Sequence, residues 1–331
     1  MSNLNSPNTQ ICMGFQPFVG DCTNNTPPPW CGYSLNDVKI LLTTLKTAGY
    51  TTIRTFGSGP WAGGTNGFQR GNTWNVQAAY EVGGIKVWNC AALNKGDDSI
   101  SNQQIDAAIN QAKSFSGVVL GIIVGVEPIG LQGYSVAEVV KFMDYAKKQR
   151  DAAGFNSTTL PITTSEQLGV LTGSAHKGVV QASEGVIFAN YYPVLACGLT
   201  IDTAISDPNW GFDVKYQGLR KQIISYGLTD MTINIGETGW PSAGKIPTPS
   251  GCTNGVASAS STSQEKYLQE IGNWVASQNS KTQVFMFEAF DELWKGNCDR
   301  SRIDSNWGLL PLPQGLNVTP PFGACQTPHN P

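Results

Sequence analysis

Charged side chains and histidines are scarce in this sequence. Only 14% of its 331 residues are charged, against about a quarter in an average protein, and the formal net charge is −3. No basic surface for nucleic acid follows from this composition, so no nucleic-acid partner is expected. Two histidines and no closely spaced cysteine pairs also argue against a metal site, and no cofactor motif is present. A neutral polymer is the better candidate partner.

Long apolar runs are missing as well. None reaches the roughly 18 residues that a membrane helix needs, so no membrane span is expected. The eight cysteines favour disulfide bonds, and together with the glycosylation sequons at Asn24, Asn156 and Asn317 they indicate a secreted or cell-surface protein. Cys22 and Cys31 flank a short proline-rich segment and form the one disulfide pair that we predict.

Short apolar or β-branched segments recur along the chain and alternate with helical patterns. The eight segments are ICMGF, TTIRTF, IKVWNC, VVLGIIVGVE, LPITTS, GVIFANYY, MTINIGE and TQVFMFEAF. The helical patterns include one that begins with a capping box of Ser135 and Glu138. The glycine-rich segment 166–184 is the weakest helix. Because no G-x-G-x-x-G turn follows the first strand, the alternation predicts an α/β fold with one (β/α)8 TIM barrel domain over residues 1–331.

Three of the predicted strands end in carboxylates, and in such a barrel the active site lies at the carboxyl ends of the strands. The fourth strand ends in Glu127, the seventh in Glu237, and the eighth in Glu288, Asp291 and Glu292. A structural salt bridge to Arg54 or Lys295 is one explanation for a carboxylate in this position. The alternative is chemical, because two carboxylates on either side of a glycosidic bond are sufficient to cleave it without a metal.

Four segments of the chain resemble glycoside hydrolase family 17, whose fungal and plant members are barrels that act on β-1,3-glucan. The segments are NYYP (190–193), GETGWPSAG (236–244), FEAFDELWK (287–295) and NWGLL (306–310). The resemblance implies that Glu237 is the nucleophile and Glu127 the acid/base of a retaining mechanism. It also implies that β-1,3-glucan and laminari-oligosaccharides are the substrates, and that the protein is located in the cell wall.

The resemblance also implies a set of substrate-binding residues. They are Asn190, Tyr192, Trp240, Glu292, Trp294 and Lys295. Lys295 is expected to keep Glu237 ionised, whereas Glu127, further from that cation, should retain its proton. Trp240 and Trp294 each adjoin a candidate carboxylate and are expected to offer an apolar face to a sugar ring.

Three functions remain open at this stage, since a covalent glycosyl-enzyme can be released by water or by another glucan. Val126 occupies the position before the acid/base where related barrels usually carry an asparagine that binds the sugar 2-hydroxyl. This replacement and the segment FEAFDELWK are closer to the fungal branch, which favours a β-1,3-glucanosyltransferase over a hydrolytic endo-1,3-β-glucosidase. The third possibility is a wall-binding protein without activity, against which both glutamates and Lys295 argue.

Overall fold

The computed structural model describes residues 11–14, 33–59, 61–62, 69–70, 74–253, 255–278, 281–292, 295 and 299–316. Its strands are β1 (Ile11–Gly14), β2 (Thr52–Arg54), β3 (Trp61–Ala62), β4 (Gln69–Arg70), β5 (Lys86–Ala91), β6 (Val119–Val126), β7 (Ile162–Gln167), β8 (Val186–Asn190), β9 (Thr232–Thr238) and β10 (Val284–Met286). Eight of them form a closed parallel barrel in the order β1-β10-β9-β8-β7-β6-β5-β2. The predicted barrel is therefore confirmed, and each predicted strand segment contributes one of its strands.

Helices follow most strands. They are α1 (Leu35–Thr47), α2 (Asn75–Val82), α3 (Asp98–Ser114), α4 (Val136–Ala152), α5 (Leu168–Leu171), α6 (Lys177–Ala182), α7 (Phe212–Ser225) and α8 (Ser261–Ser277). The capping box of Ser135 and Glu138 opens α4 as predicted. The weak segment between β7 and β8 forms the two short helices α5 and α6, separated by a single 3₁₀ turn. The antiparallel hairpin of β3 and β4 after β2 was not predicted.

The barrel interior changes from apolar to polar along the strands. Its apolar part contains Trp88, Cys90, Ile123, Val186, Phe188 and Phe285. Gly121 makes room for this layer, because a Cβ there would lie 2.3 Å from the Trp88 ring. Towards the carboxyl ends the buried side chains are polar and include Arg54, Ser165 and Asn190. The interior thus places hydrogen-bonding groups directly beneath the carboxyl-end rim.

One disulfide bond connects two rim loops. Cys197, after β8, is bonded to Cys252, after β9, with 5.5 Å between the Cα atoms. The backbone N–H of Gly198 also donates to the Gly255 carbonyl across the same junction. Cys90 is a buried free thiol. The predicted partners Cys22 and Cys31 lie outside the described residues.

Within the described part of the chain, no helix is both long enough and apolar enough to cross a membrane.

Candidate active site

Glu237 lies near the carboxyl end of β9, and both of its carboxylate oxygens are held. Arg54, fully buried on β2, donates from Nη1 to Oε1 at 2.8 Å and to the Gly236 carbonyl at 2.8 Å. The Tyr192 hydroxyl donates to Oε2 at 2.8 Å. The side chain is only 10% exposed, so a guanidinium and a phenol replace most of the water around it. These contacts fix the orientation of the carboxylate at the rim.

Glu127 follows β6 directly and is held by neutral groups instead. Its Oε1 accepts a hydrogen bond from Asn190 Nδ2 and its Oε2 accepts one from Gln167 Nε2, both at 2.9 Å. Burial, followed by the charge of Glu237, raises the pKa of Glu127 above its usual range, although the two amides oppose this shift. A carboxyl group with a raised pKa is suited to donate a proton.

Both carboxyl groups line one open cleft of about 600 Å³ at the carboxyl ends of the strands. Its wall is formed by Phe56, Val126, Glu127, Leu131, Gln167, Leu168, Gly169, Asn190, Tyr191, Tyr192, Leu195, Glu237, Phe287 and Lys295. Asn190 stands opposite Glu237 in the β8–β9 register while its amide contacts Glu127. The structure therefore brings together Glu127, Glu237, Asn190, Tyr192 and Lys295 of the predicted site.

The prediction that Lys295 is the cation acting on Glu237 is wrong. Its ammonium group pairs with Glu288 at 2.6 Å and with Glu292 at 2.5 Å, above the ring of Phe287. Glu292 is buried, so it supports Lys295 rather than lining the cleft. The cation bound to Glu237 is Arg54, because β2 carries its guanidinium through the barrel interior to β9. The salt-bridge explanation therefore holds for Glu237, with Arg54 as its partner.

Trp240 is not available to a sugar, and that prediction is also wrong. The side chain is 1% exposed, donates from Nε1 to the Ser258 carbonyl at 2.9 Å and packs against Tyr267. Its neighbour Gly239 makes room for protein instead of ligand, since a Cβ there would lie 2.3 Å from the Phe287 carbonyl oxygen. The second expected sugar platform, Trp294, lies outside the described residues.

Several residues of the site were missed from the sequence. They are Phe56, Glu166, Gln167 and Phe287. The sequence contained a signal for two of them at β7. The predicted strand segment LPITTS ends at Ser165, whereas the observed strand continues through Glu166 and Gln167. A strand extended by two residues would have placed a further carboxylate, that of Glu166, at the rim. Phe56 and Phe287 carry no such signal, since an aromatic residue after a strand is equally compatible with core packing.

Comparison with known proteins gives a family match over most of the chain. The model of the BtgE/BtgC glycoside hydrolase domain matches residues 21–308. A relative in Aspergillus terreus, named "Probable glucan endo-1,3-beta-glucosidase btgC", is 30% identical over 250 residues, which is 72% of this chain and 36% of that protein. The chain thus spans about a third of the length of that relative.

Solved structures match most of the chain at low identity. An endo-laminarinase from Formosa superposes with a TM-score of 0.67 and 16% identity over 92% of this chain and 84% of that chain. An active-site mutant of the Rhizomucor miehei β-1,3-glucanosyltransferase, in complex with laminaritriose, gives a TM-score of 0.59 and 20% identity over 91% of this chain and 93% of that chain. At these identities the likeness shows the fold.

Proposed function

Because the chain belongs to the BtgE/BtgC glycoside hydrolase family, we propose that it cleaves β-1,3-glucan with retention and transfers the donor part to another glucan chain. The substrate class is supported by the printed names of its relatives, which include a glucan endo-1,3-β-glucosidase. It is further supported by structural neighbours described as an endo-laminarinase and a β-1,3-glucanosyltransferase that binds laminaritriose.

The observation that carries the proposal is the pair of differently held carboxyl groups in one cleft. Glu127, with its raised pKa, donates a proton to the glycosidic oxygen as the bond to the anomeric carbon breaks. Glu237, fixed by Arg54 and Tyr192, forms the new bond to that carbon and gives a covalent glycosyl-enzyme. Glu127 then removes a proton from the incoming hydroxyl, which displaces Glu237 and restores the enzyme.

The acceptor in the second step is another glucan in the proposed reaction. Apolar side chains supply much of the wall beside Glu127, including Val126, Leu131 and Leu168. These groups offer water no hydrogen bonds, whereas the C–H face of a sugar can pack on them. Hydrolysis uses the same two glutamates, with water in place of the acceptor hydroxyl, and is the alternative outcome.

The proposed location is the fungal cell wall. The disulfide between Cys197 and Cys252 supports an oxidising compartment, because such bonds persist mainly in secreted and surface proteins. The substrate class proposed for the cleft is a wall polymer, which is consistent with the same compartment.

Products formed from laminaripentaose test the activity. Oligosaccharides longer than the input demonstrate transfer, shorter ones alone demonstrate hydrolysis, and an unchanged substrate contradicts the proposal.

Glu237→Gln should abolish turnover. Glu184→Gln is the matched control, since Glu184 precedes β8 at the opposite end of the barrel and pairs with Arg150. Equal losses in both variants would contradict the assignment of Glu237.

The role of Glu127 is tested by Glu127→Ala with donors of different leaving-group acidity. We expect a loss of about 100-fold or more with laminari-oligosaccharides, whose leaving group needs a proton, and recovery with an activated aryl donor. Added azide should yield the β-glucosyl azide, because the small anion can attack without a base. The absence of both effects would assign the acid/base role to another residue.

A further inference from the structure

A third carboxylate, that of Glu166 on β7, lies beneath the turn that carries Glu127. The side chain has no exposed surface, yet both oxygens accept hydrogen bonds from backbone N–H groups. Oε2 accepts from Ile129 at 2.7 Å and from Gly130 at 3.2 Å, and Oε1 accepts from Gln167 at 2.7 Å. Three backbone donors of two rim segments thus converge on one buried side chain.

The turn above Glu166 needs such support. Glu127 has a φ of +50°, the one positive value that a non-glycine residue adopts in the described ranges. This left-handed conformation is disfavoured for a residue with a Cβ and persists when neighbouring contacts enforce it. The Glu127 N–H donates to the Ser165 carbonyl at 2.8 Å, and its own carbonyl accepts from Leu131. Between them, Ile129 and Gly130 each carry an N–H group, and the Glu166 carboxylate supplies the acceptor for both.

Glu166 also reaches Glu127 by a second route. Its Oε1 fixes the backbone of Gln167, and the side-chain amide of Gln167 donates to Glu127 Oε2. The packing is tight, because a Cβ at Gly130 would lie 2.9 Å from both Glu166 Oε1 and the Gln167 side chain. The turn and the amide therefore cannot shift independently of the buried carboxylate.

We propose that Glu166 is a positioning residue for Glu127, in that its carboxylate holds both the 127–130 turn and the Gln167 amide so that the Glu127 carboxyl group faces the cleft. This inference deepens the proposed function and takes Glu127 as the acid/base. The charged groups around Glu127 are then Glu166 on β7, Glu237 on β9 and Arg54 on β2. Burial, with a smaller contribution from the charge of Glu127, raises the pKa of Glu166.

The test is Glu166→Gln, which keeps the shape but replaces one oxygen by an NH₂ group, so at least one backbone N–H loses its acceptor. We expect kcat/KM for laminaripentaose to fall about 30-fold. With 2,4-dinitrophenyl β-laminaribioside, whose leaving group departs without a proton, the loss should be less than about threefold. Equal losses with both substrates, or no loss with either, would overturn the proposal.

Glu184→Gln is the matched control for this test as well. Its carboxylate accepts from the Ile162 backbone N–H at 2.8 Å but lies away from the cleft, so kcat/KM should remain unchanged with both substrates. If Glu166→Gln fails to fold, Gln167→Leu is the alternative variant, because it removes only the hydrogen bond from the Gln167 amide to Glu127. It should produce the same difference between the two substrates, and an equal effect on both would overturn the proposal.

Amide hydrogen exchange separates this inference from the proposed function. In Glu166→Gln the amides of Ile129 and Gly130 should exchange about 10-fold faster than in the wild type, with core amides of β7 and β8 unchanged. Exchange that stays at the wild-type rate would overturn the positioning role. A wild type that acts on neither substrate would instead contradict the proposed function, and the exchange result would still show whether Glu166 holds the turn.

Discussion

Tyr192 and Arg54 each bind one carboxylate oxygen of Glu237. The phenol hydrogen bonds to one oxygen and the guanidinium binds the other, each at 2.8 Å. Because Arg54 is buried and fixed by the Gly236 carbonyl, it cannot follow a moving carboxylate. The pair of contacts therefore holds Glu237 in one orientation, which is the preorganisation that nucleophilic attack at an anomeric carbon requires.

Replacement of Tyr192 by phenylalanine tests this arrangement. The ring contacts with Phe287 and Trp307 remain, while the hydrogen bond to Glu237 is lost. We expect kcat to fall about 10-fold or more, because hydrogen bonds to charged groups are the stronger ones. The same loss should lower the free energy of unfolding by about 1.5–3 kcal/mol. Steady-state kinetics on laminari-oligosaccharides provide the measurement of kcat.

Tyr267→Phe is the control for that variant. Tyr267 is fully buried, and its hydroxyl bonds to Thr238, next to Glu237 in sequence but away from the cleft. Its removal should cost about 1 kcal/mol of stability and leave kcat unchanged. A fall in kcat of the same size in both tyrosine variants would indicate general loosening of β9 and contradict the role of Tyr192.

The raised pKa of Glu127 predicts a pH dependence. Burial and the charge of Glu237 stabilise the protonated form, which is the form that donates a proton. The rate with laminari-oligosaccharides should therefore decline as pH rises through this pKa. In Glu127→Ala, assayed with the dinitrophenyl donor, that decline should be absent. Persistence of the same alkaline decline in the variant would assign it to another group.

The same shift predicts a change in stability. A group whose pKa is higher in the folded state stabilises the fold fully below its unfolded pKa, near about 4.3 for Glu, and loses that contribution as pH rises through the folded value. Removing Glu127 should therefore be less costly at pH 8 than at pH 4. Unfolding of Glu127→Ala and the wild type at both pH values measures this difference.

Much of the site could be predicted from single residues. A carboxylate after an apolar strand is costly without a function or a partner, and this argument located Glu127 and Glu237 on one cleft. The argument failed for Trp240, because an aromatic side chain beside a carboxylate can turn into the core as readily as towards a ligand. The cation that binds Glu237 is Arg54. This pairing depends on which strands face each other across the barrel, which residue order alone does not encode.

At the scale of elements, the strands were easier to predict than the connections. Buried parallel strands read as continuous apolar segments, so all eight barrel strands were recognised. The break between α5 and α6 reflects glycine-rich sequence with poor helix propensity. The hairpin of β3 and β4 has strands of two residues each, too short for any periodicity. The disulfide of Cys197 and Cys252 could not be chosen among the possible pairings.

That disulfide connects the loop bearing Tyr192 and Leu195 to the loop after β9, and its removal is a test at this scale. The double replacement Cys197→Ser, Cys252→Ser removes a cross-link between two residues that are 55 positions apart in sequence. It should lower the free energy of unfolding by about 4 kcal/mol, because the unfolded chain is no longer constrained. Because Leu195 lines the cleft, KM for laminaripentaose should also rise. Denaturant unfolding and steady-state kinetics measure the two effects.

Cys90→Ala is the control for the disulfide variant. Cys90 is buried in the barrel interior as a free thiol, so its loss should affect packing alone and leave KM unchanged. A disulfide variant with unaltered stability would show that the two loops are held by their other contacts. An unaltered KM would show that the cleft wall does not depend on the bond.

For the whole molecule, the barrel explains why distant segments act together. β2, β6, β8 and β9 contribute Arg54, Glu127, Asn190 and Glu237 to one rim, although these residues span most of the chain. The family match extends over residues 21–308, whereas the alignment with the Aspergillus relative covers 36% of that protein. The residues proposed to carry the chemistry all lie within the matched region.

Trapping the covalent intermediate tests the central claim most directly. A 2-deoxy-2-fluoro-β-laminaribiosyl donor with a reactive leaving group slows release of the glycosyl-enzyme, so intact-mass analysis should show one added glycosyl unit. Peptide mapping should place this unit on Glu237. No adduct, or an adduct on any other residue, would contradict a mechanism in which Glu237 attacks the sugar and Glu127 supplies the proton.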